Sequence, residues 1–121
     1  MMGDIQAMFH QVKVPEKDTD FLRFLWWPGG DTSLPPSEYR MTVHLFGAVS
    51  SPSCTSYALK ITEMDNREYF RPEVIDTILK NIYVDDCLKS VATEEEAILL
   101  AKELTAACQR GGFHLIIDLF C

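Results

Sequence analysis

Two adjacent aspartates, Asp85 and Asp86, sit inside a run of β-forming residues in the stretch Thr77 to Ala97, TILKNIYVDDCLKSVATEEEA. Ile82, Tyr83 and Val84 precede them, while Cys87, Leu88, Ser90 and Val91 follow. Both flanks read as strands, so the pattern predicts a hairpin with the charged pair at its turn. An ordinary turn is enough for an isolated Asp-Asp pair, because Asp side chains bond nearby backbone N–H groups. Whether these two do more depends on what the rest of the chain brings to them.

The 121 residues, 47% of them hydrophobic, suffice for one domain with a modest core. A formal net charge of −7 argues against nucleic-acid binding through the overall field, since phosphate contacts draw on Lys and Arg. Any such binding must be local. Cys54, Cys87, Cys108 and Cys121 show no C-x-x-C spacing, and His10, His44 and His114 are scattered, so no zinc site is expected. Without a secretory signal or an apolar stretch of membrane length, the thiols read as reduced, the compartment as intracellular and cytoplasmic, and a membrane partner is not expected.

Along the chain, Phe9, Gln11, Val12, Lys13 and Val14 alternate before a charged turn over residues 15–20. FLRFLWWPGGDTSLPPSEYRMTVHLFG reads as a strand, a Gly- and Pro-rich loop and a second strand from about Tyr39 to Leu45, with Trp26 and Trp27 assigned to the core. After a Ser- and Pro-rich loop, Tyr57, Ala58, Ile61 and Met64 recur at helical spacing. The clearest helix follows Thr93, its N-cap. Glu96 holds the capping-box position, Glu94 to Glu96 favour the helix dipole, Ala97, Leu100, Ala101, Leu104 and Cys108 form the apolar stripe, and Gly111 suits the stop. The resulting order is strand end, hairpin, helix, Asp-bearing hairpin, helix and short strand. That order predicts an α+β fold with helices on one face of an antiparallel sheet.

Three segments in this order, DIQAMFHQV at Asp4 to Val12, LFGAVSSPS at Leu45 to Ser53 and YVDD at Tyr83 to Asp86, resemble the palm motifs of retroelement reverse transcriptases. The wider wording, FLRFLWWP, EYRMTVHLFGAVSSPSC and NIYVDDCLKSVATEEEA, is most similar to the BEL/Pao class of LTR retrotransposons and covers nearly the whole chain. The resemblance implies a truncated palm-like sheet, with residues 1–115 a palm subdomain fragment and residues 116–121 a divergent tail. It implies RNA-directed DNA polymerase chemistry on an RNA or DNA template with primer and deoxynucleotides.

Joining a primer 3′-hydroxyl to a deoxynucleotide α-phosphate uses two Mg²⁺ ions held by hard carboxylate oxygens, with Mn²⁺ an alternative. By resemblance Asp4 and Asp85 would bridge the ions, Asp86 would support them, and the backbone carbonyl of Ile5 would complete the set. Phe9 would lie against the sugar C2′ position and exclude a ribose hydroxyl. Gly47 and Pro52 would underlie the template and nucleotide, and Tyr83 would support the primer end. Related chains add basic fingers before the Asp4 motif and a thumb and ribonuclease H after the last motif. In place of their polar, lysine-bearing stretch this sequence continues IIDLFC, where neither Ile116 nor Ile117 can donate a proton to pyrophosphate. The chain by itself is therefore expected not to extend a primer. A non-catalytic transposon remnant serving as a structural or interaction module is the alternative expectation.

Overall fold

The computed structural model describes residues 1–119. Three α-helices are described, α1 (Ser51–Asp65), α2 (Pro72–Asn81) and α3 (Glu94–Arg110). Six strands accompany them: β1 (Met2–Ile5), β2 (Arg23–Trp26), β3 (Ser37–Arg40), β4 (Ile82–Tyr83), β5 (Asp86–Leu88) and β6 (Leu115–Asp118). The main sheet runs β4-β5-β1-β6 and every pairing in it is antiparallel, whereas β2 and β3 form a separate two-stranded sheet. The fold is α+β, as the element pattern predicts.

Strand periodicity divides the main sheet into two faces. Gly3, Ile5, Cys87 and Leu115 point to a covered face, while Met2, Asp4, Asp86, Leu88 and Ile116 point to an open one. Leu59 of α1, Val74 and Ile78 of α2, and Leu100, Leu104 and Cys108 of α3 join Ile5, Met8 and Phe113 in one core cluster. All three helices thus contribute to the covered side. Burying a leucine such as Leu100 or Leu104 contributes about 2 kcal/mol.

α3 forms as its caps predict. The Thr93 hydroxyl accepts from the Glu96 N–H at 3.2 Å, the acids at Glu94 to Glu96 meet the positive end of the helix, and Arg110 meets the negative end. At the C-terminus the Gly112 N–H donates to the Gln109 carbonyl and the Phe113 N–H to the Cys108 carbonyl, both at 3.0 Å. This is a Schellman pattern in which Gly112, not Gly111, takes the left-handed conformation, at φ 82°. Gly111 is required for another reason: a Cβ there would lie 2.4 Å from the Thr62 methyl of α1.

Several elements differ from the sequence reading. β3 ends at Arg40, because the chain then leaves the hairpin and bridges Val43 to Lys13. Residues 8–11 form a 3₁₀ turn. The flank before the aspartates is mostly the helix α2: Pro72 starts it without losing a hydrogen bond, and Val74, Thr77 and Ile78 face the core. Trp26 is not a core residue but is 53% exposed, on a two-stranded sheet separate from the main one, and Trp27 is half-buried. The stripe assigned to α1 is largely its outer face: Tyr57, Ile61 and Met64 are exposed, and the buried side carries Ser51, Thr55, Leu59 and Glu63 at four-residue spacing. Thr55 is satisfied within the helix, its hydroxyl donating to the Ser51 carbonyl at 2.8 Å. Ile116 to Asp118, expected in a divergent tail, pair with β1, while Phe120 and Cys121 lie outside the described residues.

Glu63 is fully buried with no hydrogen-bond partner for either carboxylate oxygen. Loss of water pushes its pKa from 4.5 up to about 7. The folded value exceeds the unfolded one, so its contribution to stability is fully present below pH 4.5 and is lost as pH rises to about 7. Glu63→Gln should remove that slope, with the parent losing about 3 kcal/mol across the interval in urea unfolding and the variant much less. Gly111→Ala should cost about 1–3 kcal/mol by overpacking against Thr62, and adding Thr62→Ala should recover part of it, seen as non-additivity in the same assay.

Candidate metal centre

Asp4 lies far in sequence from Asp85 and Asp86, and the register of β1 brings the three together. Asp4 lies on the open face of β1 directly opposite Asp86 of β5. The Ile5 N–H donates to the Asp85 carbonyl at 2.8 Å, which ties the turn to the central strand. Tyr83 pairs with Asp86, so the turn has two central residues, Val84 and Asp85. Val84 has φ 58°, and the positive φ falls on the first central residue alone, as in a type II′ turn. Glycine is usual at that place; a β-branched residue there is strained by about 1–3 kcal/mol. Val84 is half-buried against the core cluster, and that packing offsets the strain.

One oxygen from each of the three carboxylates lies within 4.8 Å of the other two. Asp4 and Asp86 are exposed and Asp85 is half-buried. The pKa of Asp4 is raised, first by partial loss of water and then by the negative charges of Asp85 and Asp86. Among the described residues none of the three forms a salt bridge. A hard divalent cation fits this donor set: oxygen-only ligands suit Mg²⁺ or Mn²⁺, and the cation would offset the mutual repulsion. On the other side of Asp4 the paired residue is Ile116, so the open sheet at this level is acidic on one side and apolar on the other.

The remaining residues singled out in the sequence are more dispersed. Ile5 has its side chain in the core and its N–H committed to Asp85. Phe9 is also buried, and its ring centroid is 4.7 Å from that of the exposed Phe46. Gly47 is exposed at φ 88° with nothing within 4 Å of where a Cβ would stand, so the turn itself needs the glycine. Pro52 and the highly exposed Tyr83 line one open cleft of about 560 Å³ between α1, α2 and the aspartate turn. Phe9 and Gly47 are not among its lining residues.

Lys60 lines the same cleft with Ser53, Ser56 and Tyr57, and the sequence reading passed over it. Its signal was the spacing from Ser53 through Ser56 to Lys60, which places three polar side chains along one face of α1. Val84 was missed as well, since its strained conformation follows from the turn length and not from its residue type. No protein-family model matches this chain, and no curated protein matches it.

In metal-free protein, Asp85→Asn should lower the Asp4 pKa towards its ordinary value, because the variant deletes one of the two negative charges that raise it. Carboxyl carbon shifts followed by NMR against pH measure this directly, with an unchanged Asp4 midpoint counting against charge coupling.

Proposed function

We propose that this chain is the palm core of an RNA-directed DNA polymerase of the BEL/Pao retrotransposon type, carrying a two-metal nucleotidyl-transfer site at Asp4, Asp85 and Asp86. The observation that carries the reading is the gathering of three carboxylates, from a strand and a turn far apart in sequence, within 4.8 Å on the open face of an antiparallel sheet. These are the residues that the resemblance assigns to the metals. An intracellular location belongs to the same reading and is supported by the free thiols of Cys54, Cys87 and Cys108; no helix among the described residues is long and apolar enough to cross a membrane.

Asp4 from β1 and Asp85 from the turn that Ile5 fixes would hold metal, with Asp86 of β5 in support. Bound divalent cations supply activation of a primer hydroxyl and neutralisation of triphosphate charge. The protein's own part is positioning. The Ile5 to Asp85 hydrogen bond and the Val84 conformation set the carboxylates before any ligand arrives, and such chemistry is sensitive to displacements of about an ångström. Tyr83, exposed beside the acids, would offer a ring to the primer end. Phe9 would be the aromatic that excludes a ribose hydroxyl at the sugar C2′ position, from a buried place beside the exposed Phe46 ring.

Mn²⁺ should selectively broaden the NMR signals of residues 4, 5, 85 and 86, and Asp4→Asn with Asp85→Asn should abolish that broadening while leaving the thermal transition intact. Broadening that survives the double substitution, or that is absent from the parent, would sink the proposed site.

A further inference from the structure

The β2–β3 hairpin stands apart from the main sheet, and among the described residues its two strands pair only with each other. A two-stranded sheet is marginal by itself, and three or more strands with an apolar face are the usual requirement for stability. This hairpin has such a face without the additional strands. Phe24, Trp26 and Tyr39 share one side, with exposures of 43%, 53% and 40%, and the Phe24 and Tyr39 rings stack at 5.9 Å. The other side carries Arg23, Leu25, Glu38 and Arg40.

The free edge of β3 has a readable hydrogen-bonding phase. The Met41 N–H donates to the Leu22 carbonyl, and these two residues continue the β2–β3 register. Because hydrogen-bonded and non-bonded pairs alternate, Met41, Tyr39 and Ser37 direct their backbone groups towards β2, while Glu38 and Arg40 direct theirs outwards. β3 therefore offers two outward N–H groups and two outward carbonyls on the residues that bear its opposite charges.

We propose that β3 pairs antiparallel with β3 of a second copy of this chain, about a twofold axis through Tyr39, to make a continuous β2-β3-β3-β2 sheet. In that register Glu38 of each copy lies opposite Arg40 of the other, and both pairs fall in the hydrogen-bonded phase. The backbone pattern and the charge pattern thus select the same register. The two Tyr39 side chains meet at the axis as a close, non-hydrogen-bonded pair, with a Phe24 ring on either side, so the aromatic face becomes continuous. Within one chain Glu38 pairs with Arg23 at 3.3 Å and Arg40 with Asp20 at 3.1 Å, and these pairs are solvent-exposed. Across the axis they join into rows of alternating sign. The β2 edge offers no equivalent, since Arg23 is its sole charge and no acid would face it. The partner is accordingly a second copy meeting through an isologous edge.

The test is sedimentation velocity on the full chain from micromolar to near-millimolar concentration. The parent should show a dimer that grows with concentration. Glu38→Lys and Arg40→Glu should each weaken it by about tenfold or more, because each places like charges opposite one another on both sides of the axis. An equimolar mixture of these two variants should dimerise again, since in the mixed pair every altered residue faces its opposite. Glu38→Pro removes an outward N–H together with the exposed Glu38–Arg23 ion pair but leaves the β2–β3 backbone hydrogen bonds in place, so it should keep close to the parent's circular dichroism and melting transition while losing the dimer. A parent that stays monomeric throughout the range, association indifferent to Glu38→Lys and Glu38→Pro, or a mixture no better than its separate variants would each overturn the proposal.

Discussion

The main sheet depends on β1 being paired along both edges at once. Met2 to Asp4 receive β5 on one side and Met2 to Ile5 receive β6 on the other, and the terminal amine of Met1 extends the tie by donating to the Lys89 carbonyl at 3.0 Å. A shift of one residue in either pairing would exchange the buried Gly3 and Ile5 for Met2 and Asp4. The core would then receive a carboxylate and lose its central isoleucine. Gly3 tightens the constraint, because a Cβ there would lie 3.1 Å from the Ile116 carbonyl oxygen and 3.2 Å from the side chains of Leu115 and Ile117. The arrangement of the acidic cluster follows from this register: Asp4 meets Asp86 because Gly3 and Ile5 must face the helices.

How much of this could be read from residues alone varied with how local its cause was. α3 was legible because Thr93, the three glutamates, the leucine spacing and the terminal glycines all act within one helix. The hairpin at the aspartates was legible for the same reason, although its turn is centred on Val84 and Asp85, with Asp86 already in β5. α1 was misread because its outer face is the more apolar one, with Tyr57, Ile61 and Met64, while its buried face uses Ser51 and Thr55, which satisfy themselves or lie close to other groups, and the lone carboxyl of Glu63. Periodicity detects hydrophobicity, and here close helix contact decided burial instead, as the clash awaiting any Cβ on Gly111 illustrates. α2 was hidden by Val74, Ile75, Thr77 and Ile78, residues whose β preference yielded to tertiary packing. For the candidate site, the three aspartates were legible from their motifs, whereas the Val84 conformation and the place of Lys60 required the fold.

Three features of the molecule are individually unfavourable: the strained Val84, the crowded carboxylates and the unpartnered Glu63. The first two adjoin each other at the turn, where strain and like charge are held by the Ile5 hydrogen bond and by packing from below. Glu63 is different in kind. It sits in the interface of α1 with α3, and its charge helps to raise the buried Cys108 thiol to a pKa of about 12, after the dominant effect of desolvation. Unlike the aspartates it has no opening towards solvent through which an ion could compensate it.

The pairing of β1 with β6 also bears on how the protein is made. Met2 lies opposite Asp118, so β1 is translated well before its neighbour β6. At ordinary elongation rates β1 waits on the order of ten seconds for that partner. Through that interval the nascent chain can assemble α1 and α2 locally, but Ile5 and Met8 have no completed layer to enter. The β1–β6 side of the sheet consequently closes as a late and long-range step, once β6 has been made, and until then β1 is exposed to holdase chaperones or to premature strand pairing.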